Sequence, residues 1–189
     1  MSKTERERLV ELLRERSFER KRVILASGRE SDFFIDCKQT ILTAEGHVLV
    51  GSLMFDALDA LPPCEAVAGV ELGGCPLASA VSLTSFVRSR PLAALYVRKE
   101  VKDHGSKKLV EGDRSITKDI PVVMLEDVIT TGGSTLKAVD KLRAVGARVV
   151  GVVALVDRLE GGAEAIRAAG LPVVSICTRR DFMADEKNF

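Results

Sequence analysis

"VVMLEDVITTGGSTLKAV", Val122 to Val139, sets the reading of the whole chain. An apolar run ends in two adjacent acids, Glu126 and Asp127. Thr130-Thr131-Gly132-Gly133-Ser134 follows, and then an amphipathic stretch. In an open α/β sheet, ligands bind outside the carboxyl ends of the strands. A loop that opens into a helix N-terminus meets an anion with unpaired N–H groups and the positive end of the helix dipole. Gly132 and Gly133 let the backbone come close, and Thr130, Thr131 and Ser134 add hydroxyl donors. Together they form a phosphate cradle. It is neither a Walker loop, because no lysine follows the glycines, nor G-x-G-x-x-G. Two acids beside such a cradle suit a sugar phosphate, whose hydroxyls the carboxylates accept. The alternative is an ordinary capped helix with two solvated acids.

Working outward, the same alternation recurs. Ser2 to Arg16 reads as a helix with one buried stripe. Val23-Ile24-Leu25 and Phe33-Phe34-Ile35 read as short strands on either side of a Ser27-Gly28-Arg29 turn. Ala44 to Leu61 is helical and stopped by Pro62-Pro63. Then come a strand at Ala66–Val70, a turn at Glu71–Pro76, a helix at Leu77–Arg88 and a strand at Ala93–Val97. After the polar stretch Arg98–Thr117 there is a strand at Ile120–Leu125 and a helix at Gly133–Val145 closed by Gly146. A strand at Arg148–Val156, a helix at Ala163–Ala169 closed by Gly170 and a strand at Val173–Ile176 complete the pattern. Strands alternating with helices predict an α/β fold, and continuously apolar strands predict a mostly parallel sheet covered on both faces.

The chain has 189 residues, enough for one domain with a sizeable core. The division expected is a helix and hairpin-like hood over residues 1–40 on a core of residues 41–189. Net charge is +1, so no general attraction to nucleic acid or membrane follows and any anion site must be local. Cys37, Cys64, Cys75 and Cys177 form no C-x-x-C pair and read as small buried hydrophobes of a reducing compartment. The N-terminus carries charges of both signs and is no secretory signal. No segment reaches the roughly 18 apolar residues of a membrane span. A cytoplasmic protein is expected.

"YVRKEVKDHGSKKLVEG", Tyr96 to Gly112, sets Arg98, Lys99, Lys102, Lys107 and Lys108 against Glu100, Asp103 and Glu111. It reads either as a solvated charged loop or as a mobile cationic one, hinged at Gly105, that closes over a polyanion.

The acid-and-hydroxyl stretch resembles the phosphoribosyl-pyrophosphate (PRPP) binding motif of the type I phosphoribosyltransferases. "RKEVKDHG", "LASGRESDFFIDCK" (Leu25 to Lys38) and "LVDRLEGG" (Leu155 to Gly162) resemble, in order, three segments of the orotate phosphoribosyltransferase family. The resemblance spans about Val23 to Gly162. It implies the type I fold and transfer of a phosphoribosyl group from PRPP to orotate, giving orotidine monophosphate and pyrophosphate. It implies Glu126 and Asp127 at the ribose, Thr130 to Ser134 (Thr130, Thr131, Gly132, Gly133, Ser134) around the 5′-phosphate, and Val128 and Ile129 as further PRPP-binding residues. Arg98, Lys99, Lys102 and His104 would neutralise pyrophosphate, and Lys102, His104 and Asp127 would be catalytic. Arg158, Thr130, Phe34 and Ile35 would hold orotate, within a Phe33–Asp36 lining. Magnesium would be held through PRPP and water, with no direct protein ligand. The cationic loop would reach the neighbouring site of a homodimer.

The sequence departs from some members of that family. Ala26 stands where they place a lysine before Ser-Gly-Arg, and "GVELGGCP" offers Leu72 and Gly73 where they place an aromatic–lysine pair. That leaves pyrophosphate to the Glu71–Gly74 backbone and the basic loop. His47 matches nothing and reads as structural. Two rivals stay open: a phosphoribosyltransferase for another base, and a non-catalytic PRPP-sensing regulator, which should lack the basic loop.

Overall fold

The computed structural model describes residues 3–24, 30–100 and 108–183. Helix α1 (Glu5–Arg16) starts at Thr4, whose hydroxyl accepts from the Glu7 N–H while the Glu7 carboxylate accepts from the Thr4 N–H. This closed capping box satisfies two otherwise orphaned donors. Strands β1 (Phe18–Ile24) and β2 (Glu30–Ile35) form an antiparallel pair. The Ser27-Gly28-Arg29 turn lies outside the described residues. Helix α2 (Lys38–Ile41) leads into α3 (Ala44–Ala57), which a 3-10 turn at Leu58–Ala60 ends before the prolines.

The core alternates β3 (Ala66–Val70), α4 (Gly74–Val87), β4 (Ala93–Val97), β5 (Val110–Glu111), β6 (Pro121–Ile129), α5 (Gly133–Ala144), β7 (Arg148–Asp157), α6 (Gly162–Ala168) and β8 (Val173–Thr178). The sheet order is β5-β4-β3-β6-β7-β8, with all pairs parallel except β4–β5. Both faces are covered. Val123 and Leu125 join the apolar cluster built on α1, α3 and α4, whereas Val122 and Met124 join the one built on α5. This is the type I phosphoribosyltransferase architecture.

Several elements depart from the bounds the sequence suggests: β1 starts at Phe18 rather than Val23, β2 at Glu30 rather than Phe33, and α3 ends at Ala57 rather than Leu61. Helix α4 begins at Gly74 rather than Leu77. A Cβ at Gly74 would meet Gly69 Cα at 2.8 Å and Leu125 O at 3.1 Å, so only glycine lets the helix start this close to the sheet. Pro76 then sits in the first turn, where its missing N–H costs nothing. Strand β6 runs past Leu125 to Ile129 because β7 continues beside it, Ile129 opposite Asp157. The polar stretch after β4 contains a further strand, β5, whose Val110 pairs with Val97.

The topology fixes where a ligand can sit. From β3 the chain proceeds to β4 on one side and later returns to β6 on the other. That reversal opens a crevice between the carboxyl ends of β3 and β6. Pairing of β3 with β6 ends at Gly69–Leu125, so Glu126 to Ile129 project beyond it with β7 alone alongside.

Candidate active site

The projecting end of β6 carries the two acids, and they leave the strand on opposite sides, as neighbouring strand residues do. Glu126 turns toward α5. It is 6% exposed, and its Oε2 accepts a 2.7 Å hydrogen bond from Thr135 Oγ1. Burial, followed by repulsion from Asp127, raises its carboxyl to about 8. It therefore holds its proton more tightly than an ordinary carboxyl does. Asp127 turns toward the β3–α4 turn and is only half-buried. Its Oδ1 accepts from the Val128 N–H at 2.9 Å, and its carboxylate lies so close over Gly73 that a side chain there would collide with it. The acids are thus inequivalent: one opens onto the crevice, and the other is buried against α5.

The loop from Thr130 to Gly132 brings its donors to the N-terminus of α5. Gly132 is left-handed, with φ +80°. Its missing Cβ would meet Gly162 O at 2.8 Å, so the turn before α6 braces this loop from behind. No side chain caps α5. Thr131, Gly133 and Ser134 are exposed, and a Cβ on Gly133 would meet nothing within 4 Å. Open backbone donors at a helix start are what an oxyanion needs. Ile129 is placed differently. It is 1% exposed in the α5-side cluster, so it takes part only through its backbone, accepting from the Arg158 N–H at 3.0 Å. Val128 is partly exposed on the α1–α4 side.

Of the basic residues, Arg98 is held by Glu111, Nε to Oε1 at 2.8 Å. Lys99 is exposed, and its N–H reaches Glu71 Oε1 at 2.6 Å. Lys102 and His104 lie outside the described residues, as do Ala26 and Lys107. Two lysines not singled out by the sequence, Lys141 and Lys38, and the side chain of Glu71, which the sequence offered only through its backbone, also belong here. Lys141 Nζ donates to Arg98 O at 2.8 Å and Lys99 O at 2.6 Å, tying α5 to the end of β4. Glu71 anchors Lys99. Lys38 pairs with Asp36 at 2.6 Å, which with the nearby Asp127 raises its ammonium. A lysine at the first position of a short helix, or a mid-helix lysine such as Lys141, carries no local signal of this.

On the hood side, Arg158 is 7% exposed. Its Nη2 donates to Ser31 Oγ and Phe33 O, both at 3.0 Å, and pairs with Glu160 at 2.8 Å. Phe33 is fully buried against Phe18 and Phe182, and Ile35 is a core residue, so neither side chain is exposed to a base. Phe34 is partly exposed with Lys21 Nζ 3.9 Å over its ring. Cys37 and Cys177 are buried, with burial raising both thiols, the latter to about 12; Cys64 and Cys75 are only partly buried, against the sequence expectation. His47 Nδ1 lies 3.3 Å from Ile41 O.

The site thus brings together the open N-terminus of α5, the partly exposed carboxylate of Asp127 and, toward the hood, the buried Arg158, which is the donor and acceptor chemistry of a phosphoribosyltransferase. Residues 56–168 match the family model of the phosphoribosyl transferase domain. An orotate phosphoribosyltransferase of Sorangium cellulosum is 83% identical over 182 residues, 96% of this chain and 95% of that protein. One from Bradyrhizobium sp. is 44% identical over 189 residues, 97% of this chain and all of the other. The crystal structure of Mycobacterium tuberculosis orotate phosphoribosyltransferase in complex with PRPP superposes with a TM-score of 0.78. It is 36% identical and covers 95% of this chain and 99% of its own. The chain belongs to the orotate phosphoribosyltransferase family.

Proposed function

We propose that this protein transfers the phosphoribosyl group of PRPP to the ring nitrogen of orotate, forming orotidine 5′-monophosphate and pyrophosphate in pyrimidine (UMP) synthesis. The observation that carries this reading is the pairing of Asp127 with the open N-terminus of α5, on the one strand end that projects into the crevice. The 5′-phosphate sits on the backbone donors of Thr131 to Ser134. As the bond from C1′ to pyrophosphate breaks, positive charge grows on the sugar, and Asp127 lies where an anion opposes it. The Glu71–Gly74 backbone, Arg98 and Lys99 face the leaving pyrophosphate. Arg158 holds the orotate carboxylate, a planar donor to a planar acceptor.

Magnesium fits this site in one way. Among the described residues no three His, Cys, Asp or Glu side chains gather as a metal cluster, and Glu126 is committed to Thr135. Asp127 is the carboxylate that remains to face an ion bound mainly through substrate oxygens and water. Such an ion supplies charge neutralisation of the pyrophosphate.

The working unit proposed is a homodimer in the cytoplasm, with Lys102 and His104 completing the neighbouring site. Leu83, Phe86 and Val87 share one face of α4 and are 62–74% exposed; Val48 on α3 and Leu72 before α4 are exposed to a similar degree. An apolar patch of this kind marks an interaction surface. Among the described residues no helix is long and apolar enough to cross a membrane.

The test is the fall in orotate absorbance with PRPP and magnesium, against uracil, hypoxanthine and adenine. Consumption of orotate alone is expected. Consumption of another base would overturn the assignment of Arg158, and PRPP binding without turnover would indicate a regulator.

A further inference from the structure

The ion pair just after β7 is poorly made. Among the described residues, the buried side-chain nitrogen and oxygen atoms without a hydrogen-bond partner are Arg158 Nε and Glu160 Oε2. Both side chains are withdrawn from solvent, at 8% and 13% exposure. The deficit is lopsided. Nη2 has two hydrogens, yet three oxygens stand around it: Ser31 Oγ and Phe33 O at 3.0 Å and Glu160 Oε1 at 2.8 Å. Nε has one hydrogen and no acceptor. A well-matched arginine–carboxylate pair is a fork of two parallel bonds. This pair touches at one point, so it recovers little of what burying two ions costs.

The backbone holds Glu160 in place by constraint. Leu159 has φ +56° and Gly161 φ +87°, so Glu160 lies between two left-handed residues. A leucine there is strained, and such strain persists only where the surroundings impose it. Its effect is to bring the side chains of Arg158 and Glu160, two positions apart, onto each other.

We infer that Glu160 is a stand-in carboxylate: it occupies Arg158 while the base site is empty and yields it to a ligand carboxylate able to engage the idle Nε. This rests on the reading of Arg158 as the group that meets orotate. It makes Glu160 a specificity residue that acts through Arg158. A base with a carboxylate can displace Glu160 by offering a better-matched partner. A base without one meets an arginine already neutralised and gains nothing by opening the pair.

Two variants test this, Glu160→Gln, which removes the charge, and Glu160→Asp, which keeps it but shortens its reach. Each is expected to lower the KM for orotate by roughly fivefold, without a parallel fall in the KM for PRPP and without making uracil a substrate. An orotate KM that is unchanged or raised in both would overturn the stand-in role. Arg158→Lys separates the two layers. If it too leaves the orotate KM unchanged, the reading of Arg158 itself fails. If it raises that KM while the Glu160 variants do not lower it, only the present inference fails. Should neither Glu160 variant fold, the wild-type protein decides. Its arginine Nε–H resonance, assigned by its absence in Arg158→Lys, should move downfield with saturating orotate and not with uracil. A resonance that stays in place would overturn the proposal.

Discussion

Thr135 Oγ1 donates to Glu126 Oε2 across 2.7 Å, inside the junction of β6 and α5. This bond ties the first turn of α5, where the anion cradle opens, to the strand that carries Asp127. Replacing Thr135 by Val keeps the shape and removes the donor. It should cost about 1–2 kcal/mol, read as a lower urea midpoint. It should also raise the Glu126 carboxyl further, since the hydroxyl favours the charged form.

The raised carboxyl of Glu126 sets a pH dependence. The folded protein holds this proton more tightly than the unfolded chain does. Its contribution to stability is therefore complete below the unfolded value of 4.5 and is lost as pH rises toward about 8. A series of melting temperatures from pH 5 to 9 should show wild type declining relative to Glu126→Gln, which has no proton to lose. A constant difference between the two would show that Glu126 is ionised throughout.

Gly73 lies under the Asp127 carboxylate. Gly73→Ala puts a methyl group where that carboxylate now is, and Asp127 must turn away. A small displacement of a reacting group can cost about 100-fold in rate, and turnover should fall on that scale with little change in melting temperature. Loss of stability in place of turnover would mean that the main chain, not Asp127, gives way.

Asp127→Asn keeps the size and removes the charge. Turnover should drop by roughly 100-fold or more while the circular dichroism spectrum is retained. An unchanged rate would remove Asp127 from the chemistry.

Leu83→Glu and Phe86→Glu place charges on the exposed face of α4. Sedimentation should show the proposed dimer shifted toward monomer, with activity lost in proportion if loops complete each other's sites. Monomer that retains full activity would argue against shared sites. Mixing Lys102→Ala with Asp127→Asn subunits should then restore part of the rate.

Much of this was legible along the chain. The bounds of β3 and β4 follow from composition because interior parallel strands, covered on both sides, must be apolar at every position. Helix ends at Gly146 and Gly170 follow because the closing residue is left-handed there, with φ +92° and +84°. The acid pair and hydroxyl loop were legible as a candidate phosphate site because their order along the chain is also their order in space. The early start of α4 was hidden because Gly74 reads locally as turn, and only its contact with Gly69 and Leu125 O makes it helix.

The sequence by itself determined the layered α/β fold and the family of chemistry, and it pointed to the end of β6 as the candidate site, since these rest on periodicity and on neighbours along the chain. Tertiary structure decided what the individual charges do. Glu126 and Asp127 are adjacent and chemically alike, yet α5 buries one and the crevice exposes the other. Arg158 and Glu160 look like surface charges, yet contacts with Ser31 and Phe33, more than 120 positions away, enclose the arginine. Ionisation depends on the surrounding dielectric and partners, and distant parts of the chain supply both.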